Sequence, residues 1–240
     1  MRTIALLVAL SFTLPATTAA QDPPVPPLVT MATAQVKPDM TLEFEGLIRE
    51  LRDANQEAGT SFFVAYEVLR GAASQYVTLV PISSFADLDA PSPAFQAMGE
   101  AGTAQWLARI NKTTVSVQFD NLRTLGDLAI PLAEGRQPEL AVLSMRRNLP
   151  GMRGEYVTWI RDQQVPALRE AGVNGVFQFQ NAHSGRSWYQ LRLVDNWASF
   201  DEPNPLQATG VGPAGGRLST AGETKVMRVL PELSILPAQR

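Results

Sequence analysis

The chain has 240 residues, no cysteine, a hydrophobic fraction of 45% and a net charge of −3 at neutral pH. That length supports a sizeable core, as two packed units or one fused domain. Without cysteine there are no disulfides and no cysteine-linked lipid anchor, and so weak an acidity offers no electrostatic footprint for nucleic acid or anionic lipid.

Residues 1–20 have the pattern of an export signal. Arg2 is the positive head, Ile4 to Leu10 an apolar stretch and Thr18–Ala19–Ala20 a small-residue cleavage site. The apolar run is far shorter than the roughly 20 residues of a membrane span. The expected mature chain is therefore exported, periplasmic or extracellular, and begins near Gln21 with no membrane span. Residues 21–28 form a proline-rich leader with no core of its own.

Residues 29–120 read as a first folding unit. A strand over Thr30 to Lys37 stops at Pro38, and Asp39 is the expected cap of a helix whose apolar positions are Met40, Phe44, Leu47, Ile48 and Leu51. Gly59 ends it. Phe62 to Leu69 and Gln75 to Ile82 are rich in β-branched and aromatic residues around a turn at Gly71, as in a hairpin. A second helix over Pro91 to Asn111 precedes an alternating strand, Thr113 to Asp120. Residues 121–138 are the linker.

Residues 139–236 repeat the order. Leu140 to Arg147 is a strand and Met152 to Ala171 a helix, which Pro166 should kink or end. Gly175 to Ala182 and Trp188 to Asp195 form the hairpin, and Lys225 to Leu230 the last strand. The second helix is exchanged for a glycine-rich stretch, Pro205 to Gly222. The likeness between the units extends to residues: Pro38–Asp39–Met40, Glu43–Phe44 and Leu47–Ile48–Arg49 return as Pro150–Gly151–Met152, Glu155–Tyr156 and Trp159–Ile160–Arg161. Ala58–Gly59 returns as Ala171–Gly172, and Phe85–Ala86 as Trp197–Ala198. The predicted fold is α+β: two tandem ferredoxin-like β-α-β-β-α-β repeats, packed sheet to sheet.

Those residues resemble the dimeric α+β barrel superfamily, which includes NIPSNAP-like proteins, antibiotic-biosynthesis-type monooxygenases, EthD-like proteins and chlorite-dismutase-like haem proteins. The resemblance covers about Thr30 to Ser234 and implies a pseudo-dimeric barrel made by one chain from its own two halves. It speaks to fold, since the superfamily hosts unrelated chemistries and non-enzymatic members.

Strand alternation supplies the candidate site. Phe177 and Phe179 share one face with Leu191 and Leu193, while Gln178, Gln180, Trp188, Gln190 and Arg192 share the other. If the Phe/Leu face packs on the helices, the amide, indole and guanidinium groups line the barrel, with Glu67 of the first unit as a partner for Arg192. Such a set suits an aromatic or carboxylate-bearing ligand. The bland alternative is a wet sheet face or a satisfied buried network.

His183 is the only histidine, and it is a weak haem-ligand candidate: it sits at a turn, where Arg70 stands in the first unit. No His, Cys and carboxylate cluster has metal-ligand spacing, so no metal or other cofactor is expected. Trp106, Trp159 and Trp197 read as packing residues, and Arg49 and Arg161 as helix-surface residues. Gly210 to Gly215 fits G-x-G-x-x-G without the strand and helix that the motif requires. No catalytic residue stands out. The expected function is binding of a small apolar or aromatic ligand between the sheets, with a cofactor-independent monooxygenase or a haem protein as alternatives; homo-oligomerisation is left open.

Overall fold

A computed structural model describes residues 26–203, 206 and 217–236. The export signal, most of the leader and most of the glycine-rich stretch lie outside these residues. Eight strands carry the fold: β1 (Leu28–Val36), β2 (Val64–Arg70), β3 (Gln75–Ile82), β4 (Thr114–Thr124), β5 (Leu140–Asn148), β6 (Val176–Asn181), β7 (Ser187–Val194) and β8 (Ser219–Val229). The main helices are α1 (Thr41–Glu57), α2 (Pro93–Thr113), α3 (Arg153–Trp159) and α4 (Val165–Glu170).

All strand pairs are antiparallel, and the strands close into a barrel in the order β1-β3-β2-β8-β5-β7-β6-β4. Each half has the ferredoxin-like order 4-1-3-2, repeated as 8-5-7-6. The halves join along both edges, where Val68 faces Met227 across β2 and β8 and Leu122 faces Asn181 across β4 and β6. Closure removes the free edges that two separate sheets would expose.

Strand alternation then divides the apolar residues into layers. The interior cluster draws on all eight strands: Val29 and Met31, Tyr66 and Val68, Val77 and Leu79, Leu122, Ala141 and Leu143, Phe179, Tyr189 and Leu191, and Met227. Phe177 and Leu193 pack against it. In an eight-stranded barrel the interior is just wide enough for side chains to fill or for one small ligand.

Outside the barrel, α1 and α2 cover the first half. Phe44, Leu47, Ile48, Trp106 and Ile110 bury Ala34, Val36, Ala65 and Tyr76. The indole N–H of Trp106 donates to the Leu47 carbonyl at 2.9 Å, so that layer satisfies its own polar atoms. Tyr156, Ile160, Val165 and Leu168 cover Val176 and Trp188 in the second half. The halves also brace one another. After β4, Leu128 enters the second-half layer and Ile130 bridges to Val176; after β8, Leu233 enters the first-half layer and Ile235 bridges to Phe63.

Several local expectations shift. The first helix begins at Thr41 after a short turn over Pro38–Met40, without a side-chain cap from Asp39. The strand expected over Lys225 to Leu230 begins at Ser219. Pro166 acts as its chemistry demands: the helix widens into a π turn over Ile160–Gln164, where the Val165 N–H reaches back to Ile160. Widening moves the helix backbone away from the proline ring, which has no N–H to donate. No helix among the described residues is long and apolar enough to cross a membrane.

Candidate functional site

The expected face assignment of β6 and β7 is reversed. Phe177, Phe179, Leu191 and Leu193 point into the barrel with Tyr189, so Gln178, Gln180, Trp188, Gln190 and Arg192 point outward, toward the helices. The physical reason is closure. The barrel interior is filled by side chains from all eight strands, so the apolar face of the hairpin is buried there and the amide-bearing face is left to the helices.

The helix-facing side is buried too, and it is polar. Gln178 donates to Gln164 of the π turn at 3.4 Å. Gln180 accepts from Arg153 of α3 at 2.9 Å and donates to the Gly185 carbonyl at 2.6 Å. Trp188 lies edge-on to Tyr156 at 5.2 Å between ring centres, and Tyr156 stacks on Trp159 at 6.0 Å. An aromatic ladder thus runs from the sheet toward a surface cleft of about 390 Å³ bordered by Glu155, Trp159, Arg217 and Leu218.

Three side chains in this layer are buried without partners. Asn148 is 3% exposed, Ser219 0% and Trp188 2%. Both amide atoms of Asn148, the Ser219 hydroxyl and the Trp188 indole nitrogen have no hydrogen bond. Asn148 and Ser219 face each other across β5 and β8, and Arg146 faces Trp188 across β5 and β7. All four share the helix-facing side, because residues two apart on a strand point the same way. Burial pushes the Tyr156 phenol up to about 12, and the nearby Arg146 guanidinium opposes that rise. The backbone here is tight as well: a Cβ on Gly222 of β8 would lie 2.9 Å from the Met145 carbonyl oxygen.

Arg192 is half-buried on the same face, between Val142 and Val176 of the flanking strands. Burial holds its guanidinium below its ordinary value, but arginine stays charged at any physiological pH. Glu67 is not its partner. That carboxylate pairs with Arg228 across β2 and β8. His183 is exposed in the turn after β6, with its ring 3.2 Å from the Asn121 amide and 5.5 Å from Phe85. That turn lies beyond the buried layer, and the imidazole is open to solvent. Trp106 packs as expected, Trp159 borders the cleft, and Trp197 is half exposed beneath Arg70. Arg161 is on the surface, paired with Asp127 at 3.0 Å.

Sequence reading missed Asn148, Ser219 and Arg146. Asn148 and Arg146 end a strand and resemble ordinary solvated residues, and Ser219 lies in a stretch expected to be a loop. Only the β5–β8 register brings them together.

No known family's model matches the chain, and no curated protein matches it by sequence. Solved structures do match. A candidate monooxygenase from Fusobacterium nucleatum superposes with a TM-score of 0.63 at 11% identity, covering 85% of this chain and 93% of its own. One from Lactobacillus acidophilus gives 0.60 at 9% identity, covering 89% and 97%. An anthrone oxidase-like protein gives 0.60 at 14% identity, covering 88% and 93%. The chain shares the α+β barrel fold of these structures.

Proposed function

We propose that this protein binds a small apolar or aromatic molecule between the second-half sheet and the broken helix over it. Side chains of all eight strands occupy the barrel interior, so the ligand seat lies in the layer outside it. One observation carries it: Asn148, Ser219 and Trp188 hold buried polar atoms without partners, while Trp106 in the other half has its partner. A buried unsatisfied group costs about 1–3 kcal/mol, and a ligand that completes the bonds recovers that cost. The Trp188–Tyr156–Trp159 ladder offers apolar area for the rest of the molecule.

Native mass spectrometry of the protein purified from its own host tests the reading. The expected result is a retained small-molecule mass that is diminished in Trp188→Phe. A bare protein mass in both, with no exchangeable ligand from host extract, contradicts it. The same spectra read the oligomeric state. The export pattern of residues 1–20 adds an extracytoplasmic setting to the proposal, and N-terminal sequencing of mature protein should begin near Gln21. An oxygenase reading draws support from the names of the structural neighbours. It predicts oxygen uptake with quinol-like aromatic substrates, and a flat trace across such a panel leaves binding alone.

A further inference from the structure

From the donors at the floor of this layer, we infer that the ligand is a small aromatic carboxylate, its carboxylate held by Arg146, Trp188, Asn148 and Ser219. The inference rests on the reading of the second-half layer as a ligand site. The four side chains come from three adjacent strands and lie on one face, so they span about 10 Å across the sheet. Each can donate: a guanidinium, an indole N–H, an amide N–H and a hydroxyl. Three are buried and unpartnered, and Arg146 forms no ion pair among the described residues.

The surrounding charge has one predominant sign. Arg153 lies over Gln180, Arg186 follows the β6–β7 turn, and Arg217 borders the cleft. Glu155 is the acidic residue at the rim, exposed to water. A neutral apolar guest would leave the buried donors unmet, whereas a carboxylate accepts from several at once. Its two oxygens match the fork of an arginine, and such charge-assisted bonds are the stronger class. The aromatic body then lies along Trp188, Tyr156 and Trp159, with centroid spacings of 5.2 and 6.0 Å between successive rings.

The test compares 1-naphthoate with neutral 1-naphthalenemethanol and inorganic phosphate, titrated calorimetrically into the full chain. The expected result is binding of naphthoate on the order of tenfold or more tighter than the alcohol, the ratio that a charge-assisted bond supplies. Arg146→Ala and Trp188→Phe should each shrink that ratio toward one, and Arg146→Lys should restore part of it. Trp188→Phe removes the N–H and keeps a smaller aromatic ring at the same place, so it stands if the arginine variant misfolds.

Equal affinity for naphthoate and the alcohol, unaffected by either variant, overturns the carboxylate and leaves the binding reading intact. Phosphate binding as tightly as naphthoate overturns the aromatic class in favour of an inorganic oxoanion. No binding of any probe, together with no retained ligand from the host, overturns both readings.

Discussion

The two helix–sheet layers are built on the same strand order and differ in how they treat a buried indole. In the first half Trp106 donates to the Leu47 carbonyl, and Phe44, Leu47, Ile48 and Ile110 close the layer with apolar side chains. In the second half Trp188 has no acceptor, two neighbouring polar side chains share that condition, and the covering helix is broken by a π turn. Packing alone explains the first layer. The second carries unsatisfied groups that packing would have removed, and sites held for function bear such a burden.

The largest effect that separates the layers belongs to the first. Leu47→Ala removes a fully buried side chain from α1 and should cost about 2–5 kcal/mol, read from the urea midpoint. Asn148→Leu in the second half should behave oppositely. It removes two unpartnered amide atoms, so it should stabilise the ligand-free protein by about 1–3 kcal/mol while weakening ligand retention. Destabilisation with retention unchanged would make Asn148 a structural residue and level the contrast.

Alkaline titration sharpens the picture next. All four tyrosines are held above their ordinary value of 10, with burial the first cause in each. Tyr156 and Tyr189 are pushed up to about 12, and Asp120 adds to the rise at Tyr189. Above pH 10 the unfolded chain therefore binds fewer protons than the folded one, and stability falls as pH rises from about 10 toward 12. Phenolate absorbance should show no tyrosine ionising at the ordinary value in folded protein. Ligand in the second-half layer should delay Tyr156 and leave Tyr76, which donates to Glu45, unchanged. The smallest effect is Arg161→Ala. It removes an exposed pair with Asp127 and should shift the midpoint by less than about 1 kcal/mol.

The element order was legible in the sequence because each signal there is local. β-Branched and aromatic content marks Gln75 to Ile82 as a strand, and Pro166 interrupts the second-half helix where its missing N–H requires. The orientation of the second hairpin was not legible. Alternation shows that Phe177/Phe179 and Gln178/Gln180 lie on opposite faces, but both faces here are buried, so polarity alone does not say which one looks inward. The interior of the closed barrel decides it. Glu67 follows the same rule: with Tyr66 and Val68 committed inward, its carboxylate faces out and meets Arg228 instead of Arg192. Asn148 and Ser219 were beyond sequence reading, since their pairing is a matter of register between distant strands.

The indole N–H resonances in a nitrogen-15 spectrum, followed as 1-naphthoate is added, test the central claim most directly. The Trp188 N–H should shift strongly at saturation as it gains an acceptor, while the Trp106 N–H, already bonded to Leu47, holds its position. A Trp188 resonance that stays in place, or one that moves in step with Trp106, would contradict an aromatic carboxylate seated against Trp188 in the second-half layer.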